Sequence, residues 1–368
     1  MGLVFGIIGT IGVIATFWFG LRPIIKKWLK KRRKKQDSYP VSYPTVAVTP
    51  TGSIPIEAVV KGKVEPFNYE DGLPDATDIK IRNLFETGKS LSQKYKYTEA
   101  REAFKSCLSL KNVSLTQKTA LLILIGNTFY SQYQWKPALE TYQKALKVAK
   151  KAKDRWGKAP ALGNLGLVYK DKGDWDKAIE FYNKCLKIKE KIGDEHGMAQ
   201  TYGNLGNVYQ LKGEWDKAIE FYNKDLEISK KIGDEHGMAQ TYGNLGVVYS
   251  LKGEWDKAIE FYNKDLEISK KIGDEHGMAQ TFNNLGIVYQ DKGEWDKAIE
   301  FYNKALKGLE KVGDEYGMAQ TKGNIGILYK MQGKKEEARK LLEESLRTLE
   351  KIGDRPNAEI TREHLEDL

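Results

Sequence analysis

Apolar and small side chains recur at helical spacing through most of the chain. Between Glu195 and Lys212 they fall at Met198, Tyr202, Leu205, Gly206 and Tyr209. Between Trp215 and Ile232 they fall at Ala218, Ile219, Tyr222, Leu226 and Ile228. Steps of three and four residues line up on one helix face. Asp194 stands where a carboxylate caps a helix start, Gly213 breaks the first helix, and Gly233 ends the second. The pattern predicts a helix pair. The pair recurs, because Gly-Asp is found at 193–194, 233–234, 273–274, 313–314 and 353–354, a period of 40 residues. Residues 193–232 and 233–272 differ at two positions, Asn207 against Val247 and Gln210 against Ser250. One such pair cannot bury its apolar face alone. Stacked pairs can, so the repetition predicts an all-α solenoid.

Within the unit, Leu205-Gly206 precedes Tyr209, Trp215 sits in the turn, and Ala218, Tyr222 and Leu226 follow. This set closely resembles the tetratricopeptide repeat. It recurs as Leu165, Gly166, Tyr169, Trp175, Ala178 and Tyr182, then as Gly246 with Ala258 and Gly286 with Ala298. Gly326, Tyr329 and Ala338 mark the last unit, where Lys335 replaces the tryptophan. Upstream, Gly126, Phe129, Trp135, Ala138 and Tyr142 form a full unit, and Gly88, Tyr97, Ala100 and Phe104 a weaker one. Seven repeats are thus expected over 79–352, at about 79–112, 115–153, 154–193, 194–233, 234–273, 274–313 and 314–352. A capping helix is expected over 353–368. The unit is longer than the roughly 34 residues usual in the family and lacks the closing proline. In this it is similar to the repeats of kinesin light chains and Pins-like spindle-orientation adaptors. The resemblance implies a right-handed superhelical solenoid whose first helices line a concave groove.

The amino terminus follows a different pattern. Residues 1–21 carry no charged side chain, and about 20 apolar residues at 1.5 Å each cross the hydrocarbon of a bilayer. The positive charge follows this stretch, where a cleaved signal peptide would carry it in front. The expectation is a single uncleaved transmembrane anchor in the cell membrane. The segment 22–37 holds Arg22, Lys26, Lys27, Lys30, Lys31, Arg32, Arg33, Lys34 and Lys35, expected to lie at the membrane surface. Their side of the bilayer sets the orientation: N-terminus outside, repeats in the cytoplasm. Residues 38–78 read as a Pro-rich linker. The basic run also supplies most of the net charge of +10, so the repeats are close to neutral and a nucleic-acid partner is not expected.

The sequence offers no catalytic constellation, P-loop or dinucleotide fingerprint, so neither enzyme activity nor a cofactor is expected. His196, His236 and His276 recur in register, but stacked repeats hold equivalent atoms roughly 10 Å apart, too far for one ion about 2 Å from each ligand. No metal site is expected. Cys107 and Cys185 lie two repeats apart and occupy a packing position that Asp225 and Asp265 fill in the fourth and fifth repeats. There the carboxylates are expected to be partly exposed.

The expected site is the groove implied by the resemblance. Its first helices carry Asn164, Asn204, Asn244, Asn284 and Asn324 in register, then Gln200, Gln240, Gln280 and Gln320. A third row reads Asn127, Asn207, Val247, Ile287 and Ile327. An amide offers an acceptor and two donors, which suits the backbone of an extended peptide. The bland alternative is that these amides tie adjacent helices together. The expected function is a membrane-anchored scaffold that binds a protein or peptide partner in the groove and recruits it to the membrane. Two alternatives are self-assembly into a homo-oligomer and occupation of the groove by residues 45–64.

Overall fold

The computed structural model describes residues 76–368. The apolar stretch 1–21, the basic residues Arg22 to Lys35 and nearly all of the 38–78 linker lie outside the described residues. No described helix is long and apolar enough to cross a membrane.

The described residues form fifteen helices and no strand. The first repeat pairs α1 (Ala76–Gln93) with α2 (Tyr97–Leu108), and the second α3 (Leu115–Ser131) with α4 (Trp135–Lys151). Then come α5 (Arg155–Asp171) with α6 (Trp175–Ile192), and α7 (Glu195–Lys212) with α8 (Trp215–Ile232). The fifth repeat is α9 (Glu235–Leu251) with α10 (Trp255–Ile272), and the sixth α11 (Glu275–Asp291) with α12 (Trp295–Val312). The seventh is α13 (Glu315–Met331) with α14 (Lys335–Ile352), and α15 (Arg355–Glu366) packs on α14.

Local chemistry sets these boundaries. The side chains of Asp154, Asp194, Asp234, Asp274 and Asp314 accept a hydrogen bond from the backbone N–H three residues on, at 2.8–2.9 Å. That satisfies one of the unpaired donors at each helix start. Gly193, Gly233, Gly273 and Gly313 close the second helices with φ of +71° to +72°, a conformation free of strain for glycine alone.

The core is built by close approach within each pair. A Cβ on Gly206 would lie 2.5 Å from the ring of Tyr222, and one on Gly286 2.5 Å from Tyr302. Only glycine lets the second helix's aromatic lie flat on the first helix. Tyr142, Tyr182, Tyr222, Tyr262 and Tyr302 are all but fully buried this way, each burial contributing about 1.5–3 kcal/mol. Between repeats, Ala178 and Tyr182 pack against Leu205 and Val208, and Ala218 and Tyr222 against Leu245 and Val248. Every helix packs on the next one in sequence. From α3 to α11, first helices of successive repeats also touch one another. Their closer spacing puts them on the inner side of the curve.

Candidate functional site

The inner surface carries a repeated stripe. On α7 it runs Asn204, Asn207, Leu211; on α9, Asn244, Val247, Leu251. On α11 it runs Asn284, Ile287, Asp291, and on α13, Asn324, Ile327, Met331. Spacings of three and four residues hold each trio on one helix face. Leu211 and Leu251 are each 41% exposed and Met331 52%, large apolar surface that folding leaves uncovered.

The asparagine row divides in two. Asn164 is 3% exposed and donates from Nδ2 to Asn127 Oδ1 at 3.0 Å. The Tyr142 hydroxyl donates to that same oxygen at 2.7 Å. This rung fastens the second repeat to the third, as the bland alternative has it. Asn204, Asn244, Asn284 and Asn324 make no side-chain hydrogen bond among the described residues. Three are half-buried and Asn284 is buried.

The other expected site residues have local partners. Asn207 accepts from the Tyr222 hydroxyl at 2.6 Å. Gln200 and Gln280 lie 3.1 and 2.8 Å from His196 and His276, one turn before them. Gln320 donates to the Tyr316 hydroxyl at 2.9 Å, and Gln240 is exposed. The histidines reach the next repeat's capping aspartate: His196 Nδ1 is 3.3 Å from Asp234, and His236 Nδ1 3.9 Å from Asp274. Among the described residues no cluster of His, Cys, Asp and Glu has the geometry to hold a metal ion.

Two features were not anticipated. The buried tyrosines bring their hydroxyls up beneath the groove, where Tyr302 donates to Gln290 at 2.9 Å and Tyr222 stands as close to Gln210. An amide 12 or 15 residues before the tyrosine is the signal in the sequence. Where Leu167 and Lys170 occupy those places, the Tyr182 hydroxyl is buried without a partner among the described residues. The second feature is a correction. Asp225 and Asp265 are not partly exposed; they are 7% and 6% exposed, enclosed between helices. Cys107 and Cys185, their counterparts, are buried free thiols that donate to the backbone oxygens of Ile81 and Ala159.

Comparison with known proteins matches this picture. The family model described as tetratricopeptide repeat matches residues 117–191, 197–271 and 277–351, more than half of the chain. No curated protein matches it. Among solved structures, BtubC from P. vanneervenii is 22% identical with a TM-score of 0.52, covering 65% of this chain and 93% of its own. The apo quorum sensor NprR from B. thuringiensis is 19% identical with a TM-score of 0.58, covering 85% and 96%. The Rap conjugation gene regulator of plasmid pLS20, solved with the Phr* peptide, is 19% identical with a TM-score of 0.55, covering 79% and 82%. At such identities the likeness concerns the fold.

Proposed function

Because the chain belongs to the tetratricopeptide repeat family, we propose that it is a membrane-anchored scaffold whose groove takes up an extended segment of a partner protein. One observation carries the reading: four amides in register, Asn204, Asn244, Asn284 and Asn324, have no hydrogen-bond partner among the described residues. An extended peptide presents a donor and an acceptor at each residue that is not proline, and the amides offer the complement. Leu211, Leu251, Ile287, Ile327 and Met331 lie beside them on the same helix faces. The preferred segment is therefore uncharged and aliphatic. The solved pLS20 regulator, of the same fold, holds a peptide. The apolar stretch 1–21 and the basic run behind it support attachment to the cell membrane, with the repeats on the cytoplasmic side. The role is recruitment, not chemistry.

The test is a photo-crosslinking residue at Leu251 in the full-length protein, with and without Asn204→Ala, Asn244→Ala, Asn284→Ala and Asn324→Ala. An adduct with a partner that disappears in the alanine variant, while circular dichroism stays unchanged, supports the groove. An adduct indifferent to the four substitutions removes it.

A further inference from the structure

Asp225 and Asp265 are carboxyl groups buried where the other repeats place Cys107, Ala145, Cys185, Ala305 and Ser345. Where the alternative is polar, it is a donor: Cys185 Sγ and Ser345 Oγ reach the backbone oxygens of Ala159 and Ala319 at 3.1 and 2.7 Å. An ionised carboxylate can only accept. Neither aspartate has an ion-pair partner among the described residues.

Each carboxyl is held by two hydroxyls. Ser229 Oγ lies 3.0 Å from Asp225 Oδ1, and Thr241 Oγ1 2.8 Å from Oδ2. Ser269 and Thr281 repeat the arrangement at Asp265. Thr241 Oγ1 also lies 2.9 Å from the Gly237 carbonyl, the bond that Thr201 and Thr321 make in their own helices at 2.7 and 2.8 Å. A threonine hydroxyl has one hydrogen for these two oxygens. If it goes to Gly237, the hydrogen between Thr241 and Asp225 must come from the carboxyl. If the carboxyl is ionised, the threonine turns to it and leaves its helix carbonyl.

We propose that Asp225 and Asp265 are a proton-operated latch joining the fourth, fifth and sixth repeats: protonated, each bonds across to the next repeat's first helix; ionised, each sets an unpaired charge between stacked helices and loosens them. The groups facing Asp225 are Tyr222 on its own helix and Asp234 at the start of α9, while α7 presents the backbone of Gly203. Facing Asp265 are Tyr262, Asp274 and, on α9, His236. Burial is the chief cause that raises the two carboxyls, to about 7 and about 6, with Asp234 and Asp274 adding to it and the hydroxyls opposing. His236 also opposes it at Asp265. Both therefore titrate near neutrality. The carboxyls lie directly under the groove, since a Cβ on Gly203 would be 2.7 Å from Asp225 Oδ2 and one on Gly243 3.0 Å from Asp265 Oδ2. Gly203 and Gly243 precede Asn204 and Asn244. The latch thus sets how firmly two amide rungs are held. That last consequence rests on the groove reading; the latch itself does not.

The experiment uses the full-length protein and no partner. Hydrogen exchange, corrected for its intrinsic pH dependence, is followed in α9 and α11 from pH 5.5 to 8, beside the Asp225→Asn/Asp265→Asn double variant. Protection in the wild type is expected to fall at least tenfold with rising pH, and in the double variant to stay level. The Asp225→Ala/Asp265→Ala pair, which installs the residue the second and sixth repeats already carry, serves if the asparagine variant does not fold. Equal pH profiles in wild type and the folded variant, or protection that does not change with pH, overturn the latch. Because no partner is present, the result bears on the latch alone, and the groove reading stands or falls by its own crosslinking test.

Discussion

The third repeat and the fourth to seventh carry the same asparagine row but use it differently. Asn164 meets Asn127 of the preceding repeat and is consumed by the fold. Asn204, Asn284 and Asn324 have Leu167, Val247 and Ile287 at the place of Asn127, which offer no hydrogen bond. Asn244 has Asn207 there and makes no bond to it, although Asn127 in the same place accepts from both Tyr142 and Asn164. A recurring residue therefore gains its role from its neighbour one repeat back. Where that neighbour is aliphatic, as for Asn204, Asn284 and Asn324, the fold supplies the amide no partner among the described residues.

The largest effect expected along this division is on stability against pH. The Asp225 and Asp265 carboxyls hold their protons more tightly folded than unfolded, where the value is near 4. Their contribution is complete below about pH 4 and is lost as pH rises through 6 to 7. It amounts to up to about 4 kcal/mol for Asp225 and about 3 kcal/mol for Asp265. Denaturant titrations at pH 5 and 8 should show roughly half of this loss in the wild type and none in Asp225→Asn/Asp265→Asn. The second and third repeats bury no carboxyl at this place.

Next in size is the loss of ligand contacts. Removing the four free amides should weaken partner binding by about 0.5–1.5 kcal/mol each while leaving the unfolding midpoint in place, read by calorimetry of both properties. Asn164→Ala should do the opposite. It should cost about 1 kcal/mol of stability and leave affinity unchanged. Leu167→Asn sharpens the rule, since it supplies Asn204 with the neighbour that Asn164 has. The variant should bind the partner up to about tenfold more weakly, the loss of one hydrogen bond. The smallest effect separates two buried tyrosines. Tyr222→Phe should destabilise by about 1 kcal/mol because Asn207 loses its donor, whereas Tyr182→Phe should be neutral or stabilising because that hydroxyl has no partner. Thermal melts of the two variants check this.

The sequence carries the fold because the signals that fix it are local. Helices expected at 195–212 and from about 215 to 232 are found at Glu195–Lys212 and Trp215–Ile232, since an aspartate cap and a left-handed glycine act within a few residues. The close approach of Gly206 to Tyr222 was likewise written in the pattern. The division of the asparagine row was not, because it depends on side chains about 40 residues apart in neighbouring repeats. Asp225 was misread for the same reason. A carboxylate between lysine and leucine on a helix looks solvent-facing until Ser229 and Thr241 are seen to enclose it. Where glycine is missing from the turns, Tyr95, Tyr133 and Lys153 take the left-handed conformation at φ of 59°, 58° and 55°. The repeat geometry prevails there over a local preference worth roughly 1 kcal/mol.

The central claim is that the four unpartnered amides form the contact surface for a partner. Its most direct measurement is photo-crosslinking from Leu251 in the full-length protein, in three backgrounds: wild type, Asn164→Ala, and the four free asparagines changed to alanine. The expected result is the same adduct in the first two and none in the third. An adduct that survives in the third background, or that is lost with Asn164→Ala alone, would contradict the division of the row and the function built on it.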